Sequence, residues 1–168
     1  MNLLSLVLIS LVLAICNGIY NAPQNKFVPP ADWKAIKACG VRFYVPANFR
    51  EETVHPIDSC VAQYRNRNTL LVLDVIMYSD PNGSRQSEYS NKRDFNLRQL
   101  NIDGQNAEII TCYETEVPPE SQGLNYSAVL YVPQLPKARG NLTVWTSSKS
   151  TEARDLAVKI LESMQFPK

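Results

Sequence analysis

The chain has 168 residues, with 17 Lys and Arg against 16 Asp and Glu, so its formal net charge is +1. A near-neutral chain with interspersed signs has no electrostatic footprint for nucleic acid or for an anionic bilayer. Its longest basic cluster, Lys92-Arg93, is a pair and not a patch.

Leu3 to Ile15 is almost wholly apolar and is followed by the small or polar Cys16-Asn17-Gly18. About 13 apolar residues match a signal-peptide core and fall short of the roughly 20 needed to span a bilayer. Residues 1–18 are therefore read as a cleaved export signal, leaving no membrane span in the mature form. Cleavage is expected after Cys16 or Gly18. A second processing route exists, because Leu13-Ala14-Ile15-Cys16 resembles a lipobox and would leave a lipid anchor on Cys16. Ile15 is bulky for the position before a modified cysteine, which favours ordinary cleavage. Secreted or periplasmic localisation follows from either route.

Residues 19–30 carry three prolines and no periodicity, and read as a flexible N-terminal arm. Residues 31–168 read as a single domain, a length sufficient for one core. Asp32 as a cap, Trp33 and Ile36 at helical spacing, and Gly40 as a stop predict a short helix over 31–38. Val41–Val45 alternates and ends at Pro46, a first strand. Cys60–Arg65 and Leu70–Tyr78 read as two strands about the turn-like Asn66-Arg67-Asn68. Asp74 interrupts the second, where a carboxylate must face water or be paired.

Residues 79–94 hold no aliphatic side chain and read as an exposed loop. Its Arg85, Tyr89, Lys92 and Arg93 form a candidate interaction surface, since loops carry function more often than scaffold does. Phe95–Ile102 and Gln105–Tyr113 flank Asp103-Gly104, the signature of a hairpin with a primed turn. Asn125–Val132 and Leu142–Trp145 supply two further strands. Ser150–Phe166 places Ala153, Leu156, Ala157, Ile160, Leu161 and Met164 on one helical face. Ser150 or Thr151 caps it and Pro167 ends it. The expected fold class is α+β: an antiparallel sheet of about six or seven strands in meander order, with a short N-terminal helix and a C-terminal amphipathic helix packed on it.

Three stretches resemble those of PsbP-like, Mog1-like and DcrB-like proteins. They are the ending Ile160-Leu161-Glu162-Ser163-Met164-Gln165-Phe166, the strand Val41-Arg42-Phe43-Tyr44-Val45-Pro46, and the hairpin Ile102-Asp103-Gly104-Gln105-Asn106-Ala107. The resemblance covers about 30 residues and concerns the fold. Proteins of these families include exported lipoproteins, photosystem assembly subunits and partners of small GTPases; the resemblance implies a binding or assembly protein without shared catalytic residues, and no site residue carries over.

Cys39, Cys60 and Cys112 remain after cleavage. In an oxidising compartment two of them pair. Three single bridges are open, and Cys39–Cys60, which closes the shortest loop, is the expected one. With His55 as the only histidine, a Cys/His zinc site lacks ligands, and no cofactor motif occurs. Sequons at Asn82, Asn125 and Asn141 permit glycosylation if the source is eukaryotic.

Catalytic constellations are sparse. His55, Asp58 and Ser59 crowd into one connection without a nucleophile elbow. A thiol mechanism pairing Cys60 with His55 conflicts with oxidation of Cys60. Glu51-Glu52, and Glu114 with Glu116, offer carboxylate pairs, which read first as solvated strand ends. The leading expectation is an exported, non-enzymatic binding or assembly protein that engages an unknown protein partner. The alternatives are a secreted hydrolase with an atypical site near His55, Asp58 or Glu114, and a secreted effector or surface antigen. N-terminal sequencing of the exported protein is expected to begin at Asn17 or Ile19; an intact Met1 would remove the cleaved-signal reading.

Overall fold

The structure is a computed structural model that describes residues 27–54, 59–76, 85–135 and 140–166. The expected export signal, residues 1–18, lies outside this range, as do His55, Asp58 and Asn82.

Nine strands and two α-helices make up the described chain. A two-stranded ribbon pairs β1 (Trp33–Ala38) with β2 (Val41–Pro46). The main sheet contains β3 (Arg50–Glu52), β4 (Cys60–Arg65), β5 (Thr69–Ile76), β6 (Arg93–Ile102), β7 (Gln105–Tyr113), β8 (Tyr126–Val132) and β9 (Asn141–Ser148). Its spatial order is β3-β4-β5-β9-β8-β7-β6, and every pairing is antiparallel. Helix α1 is the short Gln86–Tyr89, and α2 is Thr151–Glu162.

The expected helix over 31–38 is strand β1. Two residues connect it to β2, and both have positive φ: Cys39 at 50° and Gly40 at 77°. That is the backbone of a primed hairpin turn, which matches the twist of the strands it joins. Gly40 thus reverses a ribbon instead of stopping a helix. Eight residues are too few to make an isolated helix stable, whereas pairing with β2 satisfies the backbone of β1 directly.

The expected meander is broken at one point. From β5 the chain crosses to the far edge of the sheet. It then returns through β6, β7 and β8 to place β9 against β5. The β6–β7 turn is as read from the sequence, with Asp103 at φ 47° and Gly104 at 87°. The Asn66 turn also holds, since the Asn66 side chain accepts from the backbone N–H of Asn68 and Thr69, each at 2.8 Å.

Period-two alternation gives the sheet two apolar faces. The first carries Leu71, Leu73, Val144, Leu142, Leu130 and Ile109, and packs under Ile160, Leu161, Met164 and Phe166. Val41, Phe43 and Val45 of the ribbon close the same core and are wholly buried. Ser150 caps α2, its side chain accepting from Ala153 N–H at 3.3 Å. After α2 the chain ties three elements together. Ser163 Oγ accepts from Tyr44 N–H at 3.0 Å, and Gln165 exchanges backbone hydrogen bonds with Arg42 at 2.7 and 3.0 Å. Phe166 N–H donates to Asp103 Oδ2 at 2.8 Å.

The second face bears Ile110, Cys112, Val129 and Tyr89, with Phe95, Leu97 and Trp145 at their margin. Tyr89 comes from α1. The run expected to be an exposed loop therefore folds, over its described part, onto a face that needs cover. Asp74 stands on this face opposite Thr143, and its buried Oδ1 has no hydrogen-bond partner among the described residues.

Cys39 and Cys60 form a disulfide that pins the ribbon turn to the start of β4, while Cys112 is a buried free thiol. The bridge spans a sequence separation of 21. Removing it in a Cys39→Ser/Cys60→Ser double variant is expected to lower stability by about 3 kcal/mol through the freer unfolded chain. Urea denaturation of oxidised and variant protein measures this, and coincident curves would contradict it.

Candidate binding surface

Arg85, Tyr89, Lys92 and Arg93 do not form one surface. Arg85 and Tyr89 are held against the second sheet face. The Arg85 guanidinium lies 5.7 Å from the centre of the Tyr131 ring, pairs with Glu88 at 2.7 Å and donates to Thr143 Oγ1 at 3.4 Å. Tyr89 is buried, and its hydroxyl accepts from Trp145 Nε1 at 3.2 Å. Both are tied into packing by their own partners. Arg93 is exposed at the start of β6, with its guanidinium 3.8 Å from the centre of the Tyr113 ring. Tyr113 in turn meets Tyr126 edge to face at 5.1 Å. Lys92, half-buried, precedes it.

Tyr113 is two residues beyond Thr111, and so shares the α2-facing side of β7. Thr111 lines a groove of about 330 Å3 between α2 and the β6–β7 margin. Here α2 packs on the central strands and leaves the last two uncovered. Ile109 and Val158 are the apolar lining, and Asn96 and Thr111 add uncharged polar groups. Arg98, Arg154, Asp155, Lys159 and Glu162 frame the rest. Arg98 donates to Glu162 across the groove, and Arg154 pairs with Asp155 at 3.0 Å. Three cations against two carboxylates leave the groove with one excess positive charge, and beyond its end Arg93 is paired with Asp94 at 3.5 Å. Such exposed ion pairs are individually weak and salt-sensitive, so they can be exchanged for a ligand's charges at low cost.

Two of the carboxylates considered for acid–base chemistry, Glu52 and Glu114, have structural partners. Glu52 accepts from Gln63 Nε2 and pairs with Arg65 at 3.2 Å. It borders a recess of about 420 Å3 with Glu51, Thr53, Val54, Val61 and Ala62. Glu114 accepts from the Ser127 hydroxyl, and Glu116 is exposed beyond the end of β7. His55 and Asp58 of the hydrolase reading lie outside the described residues. Among the described residues no three His, Cys, Asp or Glu side chains gather as a metal site.

Of the sequons, Asn125 donates from Nδ2 to the Glu114 carbonyl at 2.7 Å. Asn141 is buried at 2% exposure and donates to Tyr131 Oη at 3.2 Å, so a glycan on it has no room in the fold. Sequence reasoning missed the groove, because its two walls are far apart in the chain. The one local sign was the run of charges on the polar side of α2.

The assembled architecture is an α+β sandwich of the PsbP-like kind. It is similar to the solution structure of cyanobacterial PsbP (CyanoP) from Synechocystis sp. PCC 6803. The likeness has a TM-score of 0.52 at 12% sequence identity and covers 87% of this chain and 100% of that one. At that identity the likeness shows the fold. No protein-family model matches the sequence, and no curated protein matches it. Among the described residues no helix is long and apolar enough to cross a membrane.

Two buried groups on the second sheet face titrate above their ordinary range. Burial pushes the Tyr89 hydroxyl up to about 12, opposed by its hydrogen bond with Trp145, and burial pushes the Cys112 thiol up to about 11. Groups raised in the folded state stabilise it below their unfolded values, and that stability is lost as pH rises through the folded ones. The urea midpoint is therefore expected to fall from about pH 9 to pH 12. Cys112→Ala should flatten the lower part of the fall, up to about pH 11. A midpoint independent of pH over that window would contradict the assignment.

Proposed function

We propose that this chain is an exported, non-enzymatic binding or assembly protein that recognises a protein partner through the groove between α2 and the β6–β7 margin. The observation that carries the reading is the groove itself. It joins an apolar floor, Ile109 and Val158, to a mixed but net positive rim of Arg98, Arg154, Lys159, Asp155 and Glu162. An apolar centre with a polar, charged rim is the general composition of a recognition patch. The Tyr113–Tyr126 pair with Arg93 on it adds aromatic and guanidinium surface at one end, the residue types that dominate binding hot spots. The PsbP-like fold supports the reading as an architecture that serves binding. The Cys39–Cys60 disulfide supports an oxidising, non-cytosolic setting.

The partner should present acidic side chains to the rim, and association should weaken with salt. Reversing charge in an Arg154→Glu/Lys159→Glu variant is expected to reduce partner recovery from the exported fraction at least about tenfold, with the thermal transition shifted little. Equal recovery by wild type and variant would remove the groove as the interface. A hydrolytic activity abolished by His55→Ala would replace this reading with the enzymatic one.

A further inference from the structure

The groove has an open side. Strand β6 is the last strand of the sheet, and no strand among the described residues pairs with its outer edge. It is also the longest strand, Arg93–Ile102. From Asn96 to Ile102 it pairs with β7 without interruption; the register shift lies before that, between Arg93 and Asn96, where Asp94 has φ 55°. A regular edge of this length presents a row of outward backbone N–H and C=O groups, which is a template for another strand.

The two faces of that edge differ in chemistry. Asn96 and Arg98 face α2 and line the groove. Phe95 and Leu97 face the other way and pack at the margin of the second apolar cluster, each half-buried. A strand added beside β6 would lie about 4.8 Å away, with alternate side chains set against these two rows. On the groove face the complement is anionic: a carboxylate opposite Arg98 competes with Glu162, and Arg154 and Lys159 stand on the far wall. On the other face the complement is apolar at the start of the strand, where it would finish the burial of Phe95 and Leu97, and polar beyond it, opposite the exposed Gln99 and Asn101. A second copy of β6 meets the first condition poorly, because it brings its own Arg93 and Arg98.

We infer that β6 is a strand-addition edge for an extended partner segment in which acidic and apolar residues alternate, the acidic ones turned to the groove. Backbone pairing supplies affinity, and the two rows of side chains supply register and choice of partner. Arg98 is the selecting residue, and its pair with Glu162 holds the guanidinium over the groove until the segment's carboxylate replaces it. The inference rests on the groove being the recognition site and adds the class and conformation of what it recognises.

A capped nine-residue peptide alternating valine and glutamate tests this against the full chain, with the valine–lysine peptide as control. Binding is read by fluorescence anisotropy, and backbone pairing by hydrogen exchange. The glutamate peptide should bind at least about tenfold more tightly than the lysine peptide. It should also slow exchange of the β6 amides between Asn96 and Ile102. Arg98→Glu should weaken binding by a similar factor, whereas Glu162→Gln, which frees Arg98 without reversing its charge, should tighten it. Equal affinity for the two peptides overturns the inference, as does association of the chain only with itself. Binding that Arg98→Glu weakens while β6 exchange is unchanged removes strand addition and leaves the groove as a recognition site. Failure of the peptide to bind, with partner recovery still lost in Arg154→Glu/Lys159→Glu, does the same.

Discussion

The pairing of β5 with β9 is the constraint on which the rest of the molecule depends. It runs from Thr69↔Ser148 to Ile76↔Asn141 and joins the β3-β4-β5 meander to the β6-to-β9 meander. Without it there are two small sheets, each with one apolar face too narrow to bury. With it, Leu71, Leu73, Val144 and Leu142 become one floor, on which α2 and the ribbon can both rest. The pairing is also expensive in chain entropy, because it must be closed across a long separation before any local contact rewards it. The apolar run Leu70–Leu73 compensates by burying Leu71 and Leu73 on one face and Leu70 on the other, with Val72 half-buried.

The crossover that this pairing demands explains the polar segment between β5 and β6. Its described part, residues 85–92, lies on the face opposite α2. Where described, it contributes one large side chain, Tyr89, to an otherwise under-covered cluster, and Arg85 to the face of Tyr131. A sequence without aliphatic residues can therefore be scaffold. Its anchors are a tyrosine that places its hydroxyl against an indole N–H and an arginine whose guanidinium sits 5.7 Å from a ring centre, both ways of burying part of a polar side chain.

The groove arises from a mismatch of widths. Helix α2 covers the central strands and stops short of β6 and β7, so the margin of the sheet carries charged and polar side chains in place of core. The C-terminal tail fixes that placement. Ser163, Gln165 and Phe166 bind the ribbon strand β2 and the β6–β7 turn through separate hydrogen bonds. The helix therefore cannot slide outward over the groove without breaking them. Stability at the centre and openness at the edge follow from the same packing.

Much of this was legible in the residues, and for local reasons. Period two gave most of the strands, Asp103-Gly104 gave the hairpin, and the spacing from Ala153 to Met164 with Ser150 before it gave α2, because each signal is complete within a few turns of chain. The disulfide was legible as the shortest of three possible loops. What the sequence could not decide depended on a distant partner. Trp33 and Ile36 sit at helical spacing, yet β1 is a strand because β2 offers it an edge and Gly40 the backbone for a primed turn. Tyr89 is buried because Ile110 and Val129 lie bare beneath it. The groove exists because Arg98 and Glu162, far apart along the chain, meet where the sheet extends past the helix. The sequence alone determined which elements form and which faces are apolar. Only the tertiary structure decided which strand becomes the neighbour of which, and so where an edge and a groove are left open, because those depend on which distant apolar faces cover one another.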